Sequence, residues 1–109
     1  MAYDEGLAER VREVLALRTD VTERRMFGGL AFMVGGHMAC GIAGEDLMVR
    51  VGKDGYDDAL AHPNAREMDF TGRPMTGVVY VDAAGTADDD ALRFWVDRGV
   101  AFVGTLPAR

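Results

Sequence analysis

The chain has no serine and no glutamine, a single lysine (Lys53), a single cysteine (Cys40) and only three prolines in 109 residues. Without serine, hydrolysis through a serine nucleophile is excluded. One cysteine cannot close an internal disulfide, and a reducing compartment, the cytoplasm, is the natural reading. No apolar run approaches the roughly 18 residues that a membrane-spanning helix needs. The N-terminus, Met-Ala-Tyr-Asp-Glu, is acidic with no apolar stretch behind it, unlike a secretory signal. Basic charge is also scarce: 12 Lys and Arg stand against 18 Asp and Glu, for a net charge of -6. That balance argues against a broad phosphate-binding surface and makes direct nucleic-acid binding an unfavoured reading. Almost all of the positive charge is arginine, which a GC-rich genome explains.

What is present describes an ordinary globular chain. Apolar residues make up 49% and charged residues 28%. The length suits one domain, residues 1–109, with one core.

Hydrophobic periodicity predicts a helix from Asp4 to Arg18, with Leu7, Val11, Val14 and Leu15 on one stripe and Asp4 as cap. Thr19 to Glu23 reads as a polar link. Arg25 to Val34 reads as one strand and Gly35-Gly36 as a hairpin turn. Further strands are expected at His37–Ala43 and at Leu47–Val51. The latter puts Leu47, Val49 and Val51 on one face and Met48 and Arg50 on the other. Asp54 is a candidate cap for a short helix that must stop before Pro63. Strands at Glu67–Phe70 and Thr76–Val81 follow. Thr86 with Asp89 resembles a capping box for a last helix whose apolar face is Leu92, Trp95, Val96, Gly99, Val100 and Val103. The expected fold is α+β: a two-layer sandwich of order α-β-β-β-α-β-β-α, with an antiparallel five-stranded sheet and helices mainly on one face.

Few residues combine into chemistry. His37 and Cys40, three apart in a strand, are expected on opposite faces. With His62 they could make a zinc site only by a distant convergence with an aspartate. Cys40 would be a reactive thiolate only beside a cation such as Arg24 or Arg25. A small buried thiol is the plainer reading. Gly28-Gly29 and Gly35-Gly36 lack the strand-to-helix context and the following Lys and Ser or Thr of a phosphate loop. Glu67 with Asp69, and Asp57 with Asp58, read as solvated edges rather than an acid–base pair. Arg24, Arg25, Arg50, Lys53 and Arg73 could form a basic patch, but Glu45, Asp46, Asp54, Asp57 and Asp58 share the segment. No catalytic, cofactor-binding or metal-binding residue is therefore assigned, no cofactor is expected, and an enzymatic role is not favoured.

The stretch Arg24-Arg25-Met26-Phe27-Gly28-Gly29-Leu30-Ala31-Phe32 breaks local rules. A glycine pair inside an apolar run signals a bulge or a closely approached backbone. Read as one strand, it is apolar on both faces, with Met26, Leu30 and Phe32 on one and Phe27, Ala31 and Met33 on the other. Met38, Met48, Met68 and Met75 also lie in or beside the sheet. A two-layer domain covers only one sheet face with helices, so the second is solvated or meets a partner. The corner Arg25, Met26, Phe27, Gly28 and Gly29 is the candidate interaction site, and Phe27→Asp would weaken association.

The run Arg25-Met26-Phe27-Gly28-Gly29, then Gly36-His37-Met38 and Leu47-Met48-Val49-Arg50-Val51, resembles the N-terminal domain of the TfoX/Sxy competence-regulator family. Met75, Tyr80-Val81-Asp82 and Leu92-Arg93-Phe94-Trp95-Val96 continue the resemblance, over roughly residues 8 to 106. It implies a compact α+β fold of the kind also seen in type III secretion chaperones. It also implies a bacterial regulatory role: two-domain members help a transcription activator turn on DNA-uptake genes. The second, helical domain of those members is not found in these 109 residues, so a stand-alone domain is expected. The resemblance brings no catalytic residues. The expectation is thus a cytoplasmic, non-enzymatic regulatory module that binds a protein, such as a transcription factor, or itself as a homodimer. The alternative is a small-molecule binder or enzyme using the cleft between helices and sheet.

Overall fold

The computed structural model describes residues 3–26, 28–69 and 74–107. Among them the order is α1 (Glu5–Val14), β1 (Val21–Met26), β2 (Gly29–Val34), β3 (His37–Ala43), β4 (Asp46–Arg50), α2 (Gly52–Leu60), β5 (Ala65–Asp69), β6 (Pro74–Val81), a 3-10 turn at Ala83–Thr86, and α3 (Asp89–Val103). The strands form one antiparallel sheet in the spatial order β1-β2-β3-β4-β6-β5.

The α+β class and the antiparallel pairing are as the sequence implies, but the sheet has six strands rather than five. The expected Arg25–Val34 strand is two strands folded back on each other, with Met26 paired to Gly29. Gly28, at φ +70°, makes the reversal. The supposed polar link Thr19–Glu23 supplies the start of β1. Four consecutive residues of that strand, Thr22 to Arg25, are exposed. An edge strand of this kind carries no alternating apolar signal, so a periodicity reading passes over it.

Smaller corrections share a physical theme: caps are decided by geometry, not spacing alone. The last helix starts at Asp89 with Asp88 as its cap, whose carboxylate accepts from the Asp90 N–H. Thr86 sits in the preceding 3-10 turn. Asp54 lies inside the first turn of α2, and the cap position is Val51, which offers no side-chain acceptor. Asp4 does cap α1, accepting from the N–H groups of Gly6 and Leu7.

All three helices bury their stripes on one sheet face. Leu7, Val11 and Leu15 from the first helical segment meet Ala59 of α2 and Leu92, Trp95 and Val96 of α3. They close over Leu30, Phe32, Cys40, Ile42, Leu47, Val49, Val79 and Val81. Each fully buried large apolar side chain contributes about 1.5–3 kcal/mol relative to exposure.

Two glycines permit close backbone approaches, Gly99 between α3 and the sheet and Gly29 between β2 and β3. A Cβ at Gly99 of α3 would lie 2.3 Å from the Ala39 carbonyl oxygen, and one at Gly29 would lie 2.0 Å from that of Ile42. The N-terminal segment is tied to the sheet by the Asp4 N–H, which donates to the Gly44 carbonyl at 2.8 Å.

Candidate functional site: the open sheet face and its basic corner

The helix-free face is organised by register. Arg24 (β1), Ala31 (β2), Gly41 (β3), Met48 (β4), Tyr80 (β6) and Arg66 (β5) stand opposite one another in a single transverse row. Ala31 and Met48 are fully buried although no helix covers them. The reason lies at Gly41, where a Cβ would come 2.8 Å from the Met48 terminal methyl and 2.8 Å from the Leu30 carbonyl oxygen. Met48 fills the space that a side chain at position 41 would take. Met33 and Val78 extend this apolar strip, at 8% and 6% exposure. Met38, half-buried, pairs with Met33.

Cations frame the strip. Arg24 is exposed on the β1 edge. Arg66 lies over the Tyr80 ring at 4.9 Å and pairs with Asp46 at 2.5 Å. What the face presents to solvent is thus the half-buried Met26, Met38 and Tyr80 with the exposed Arg24 and Arg66, residue types in which recognition patches are enriched.

The signature corner divides. Phe27 lies outside the described residues. Met26 is half-buried and shares the open face with Ala31 and Met33, not with Leu30 and Phe32 as one continuous strand would place it. Arg25 pairs with Leu30 and belongs to the helix-side register. Gly28 and Gly29 do different jobs. Gly28 turns the chain with nothing near its missing Cβ, while Gly29 admits the Ile42 carbonyl.

The remaining candidates disperse. A bulge between Phe32 and Met33 on one side and Met38 and Cys40 on the other breaks the alternation of β3. It brings Ala39 and Cys40 both onto the helix side, so His37 and Cys40 are not on opposite faces as simple parity predicts. They still do not meet. Cys40 is fully buried, and desolvation pushes its thiol up to about 12. His37 Nε2 contacts the Pro107 carbonyl at 2.7 Å. His62 packs against Trp95 and Phe94, with ring centroids at 5.0 and 5.4 Å. Among the described residues no group of three or more His, Cys, Asp or Glu is placed to hold a metal. Glu67 is exposed, and a register shift separates it from Asp69 in β5. No described helix is long and apolar enough to cross a membrane.

The supposed basic patch is two places. Arg24 and Arg25 sit on β1 at one sheet edge, whereas Arg50 and Lys53 meet at the junction of β4 and α2. Arg73 lies outside the described residues. Around Arg50 and Lys53 is a cavity of about 750 Å³, walled also by Val51, Gly52, Asp54, Thr76, Gly77, Val78, Phe102 and Thr105. The Arg50 guanidinium stands 5.3 Å from the Phe102 ring centre. Gly52 and Gly77 both have positive φ, +79° and +97°, and the Val51 N–H donates to the Gly77 carbonyl at 2.7 Å. Sequence reasoning noted Arg50 and Lys53 but missed this cavity. Its available signals were a glycine at a strand-to-helix junction and another inside an apolar strand.

Among the described residues the candidates form surfaces rather than a cluster of metal-holding groups. No curated protein and no solved structure matches the chain. The model of one family, the TfoX N-terminal domain, matches residues 13–103. That span includes the signature corner, the whole open face and all of α3, and the chain belongs to the TfoX N-terminal domain family.

Proposed function

We propose that this chain is a non-enzymatic regulatory module that works by binding another protein through its open sheet face, in the setting of competence-type gene regulation. Membership of the TfoX N-terminal domain family supports the regulatory setting. The observation that carries the mode of action is the transverse row from Arg24 to Arg66, with its apolar interior and cationic ends. Binding would bury the half-buried Met26 and Met38 further and desolvate the Tyr80 ring, with Arg24 at the polar rim.

The test uses Met38→Asp, a half-buried position at which a charge obstructs the face without entering the helix-side core. Tagged wild-type and variant chains are used to capture partners from cell lysate, and their masses in solution are compared by sedimentation. A transcription factor or polymerase subunit enriched with wild type and lost with Met38→Asp supports the reading. A bait that comes down alone, and sediments as a dimer only when wild type, makes a second copy the partner. Equal capture by a folded Met38→Asp chain overturns the assignment of this face.

A further inference from the structure

We infer that the cavity at the junction of β4, α2 and β6 is a binding site for a small organic anion, with an apolar body and one carboxylate or phosphate group. The inference goes beyond the protein-binding reading and does not depend on it.

Size comes first. About 750 Å³ falls inside the ~300–1,000 Å³ range of small-molecule sites. The walls pair an apolar side, Val51, Val78 and the Phe102 ring, with a larger polar set, Arg50, Lys53, Asp54, Thr76 and Thr105, and two glycines, a lining suited to a ligand with both an apolar body and a charged group.

Charge is the second argument. Among the described residues, Arg10, Arg12, Arg18, Arg66 and Arg98 each have a carboxylate partner. Arg50 and Lys53 have none, which is equally true of Arg24, Arg25 and Arg93, but Arg50 and Lys53 line one cavity together in a chain whose net charge is -6. The chain's only lysine is thus placed with an unpaired arginine in one concavity. Among the described wall residues Asp54 is the one carboxylate, and Arg50, Lys53 and Asp54 together carry a net single positive charge, which suits one anionic group. Arg50 is held against Phe102 by its ring contact, leaving guanidinium N–H groups for a planar anion.

Backbone shape is the third. At Gly52 a Cβ would collide with the Phe102 ring at 2.4 Å, and at Gly77 one would rest 3.5 Å from the Gly52 Cα. Both positions sit in a conformation that L side chains rarely adopt. The part of the wall they form is bare backbone, and space is kept where side chains would fill it. Arg50 and Val78 are also a register pair, so the cavity opens beside the face proposed for protein binding. An occupant would lie at the edge of that interface.

The experiment is an amide NMR titration of the full chain, without any partner, using benzoate, phenyl phosphate, inorganic phosphate and benzyl alcohol as probes. The expected result is saturable movement of the Gly52, Gly77 and Thr105 signals with benzoate or phenyl phosphate, and none with benzyl alcohol. The stronger of the two anions identifies the preferred head group. Arg50→Gln and Lys53→Gln, each with a dispersed spectrum, should weaken binding roughly tenfold or more, the scale of one lost charge-assisted contact. Arg93→Gln, on the exposed side of α3, should leave it unchanged. No saturable shift at millimolar probe, equal response to benzyl alcohol, inorganic phosphate binding as tightly as phenyl phosphate, or unchanged affinity in both Arg50→Gln and Lys53→Gln would each overturn the inference.

Discussion

Gly99 of α3 rests on the carbonyl of Ala39 in β3, so closely that a single added carbon would stand 2.3 Å from that oxygen. Alanine is ordinarily favoured over glycine in a helix interior by about 1 kcal/mol. Here the neighbour is backbone and cannot rotate away. Gly99→Ala is therefore expected to destabilise the fold by about 1–3 kcal/mol, the range of overpacked cores. A rise in the urea midpoint would show that α3 can lift off the sheet at no cost.

The two signature glycines should separate in the same assay. Gly28 has positive φ and open space, so Gly28→Asn, a residue that tolerates the left-handed region, is expected to cost under about 1 kcal/mol. Gly29→Ala drives a carbon to 2.0 Å from the Ile42 carbonyl oxygen and should cost more, at least about 2 kcal/mol. Equal effects would mean that the hairpin turn, not the strand contact, is why both positions are glycine.

Cys40 offers a chemical test of burial. Its thiol is fully enclosed and pushed up to about 12, so the native protein should react with a disulfide reagent at neutral pH only by opening, and unfolded protein at once. Cys40→Ser places an unpartnered hydroxyl in the core and is expected to lose about 1–3 kcal/mol. Fast native labelling would contradict the packing of β3 under α3.

The Arg12 guanidinium donates to both carboxylate oxygens of Glu23 at 2.7 and 2.8 Å and also pairs with Glu9. Its hydrogen bonds hold the Glu23 carboxyl below the ordinary glutamate range, as Arg18 does for Asp20. A depressed carboxylate stabilises the fold above its unfolded value. That contribution is lost as pH falls through the lower, folded value. Both Arg12 and Glu23 are 35% exposed, so screening limits the pair to about 1 kcal/mol or less. Glu23→Gln should lower the neutral-pH melting temperature slightly and flatten its fall in acid, while high salt narrows the difference. A variant with an unchanged acid limb would show that other carboxylates set it.

The helix-side core was legible because its residues obey simple periods. Leu7, Val11 and Leu15, the Leu47–Val49 alternation, and Leu92, Trp95 and Val96 all announce the face they bury. β1 was not, because a charged edge strand resembles a polar link until its partner is known. The bulge at Ala39 was equally hidden: it changes which side Cys40 faces without altering any residue type. Of the candidate site, Met48 and Arg50 were placed on the second face from alternation alone. The row that joins Arg24 to Arg66 needed pairing register, and the Arg50–Lys53 cavity needed the approach of Gly77 and Phe102 from distant parts of the chain. Long-range juxtaposition leaves little trace in local composition.

β1 ends the sheet on one side with Thr22, Glu23, Arg24 and Arg25 all facing water, and β5 ends it on the other with exposed Arg66 and Glu67. A strand from another molecule that tried to extend this sheet would have to strip water from those charges. Growth along the hydrogen-bonding direction, the route to fibrils in crowded or newly synthesised chains, is thereby discouraged. The partner contact proposed above would use the flat of the sheet instead, where contact with one neighbour does not invite the next.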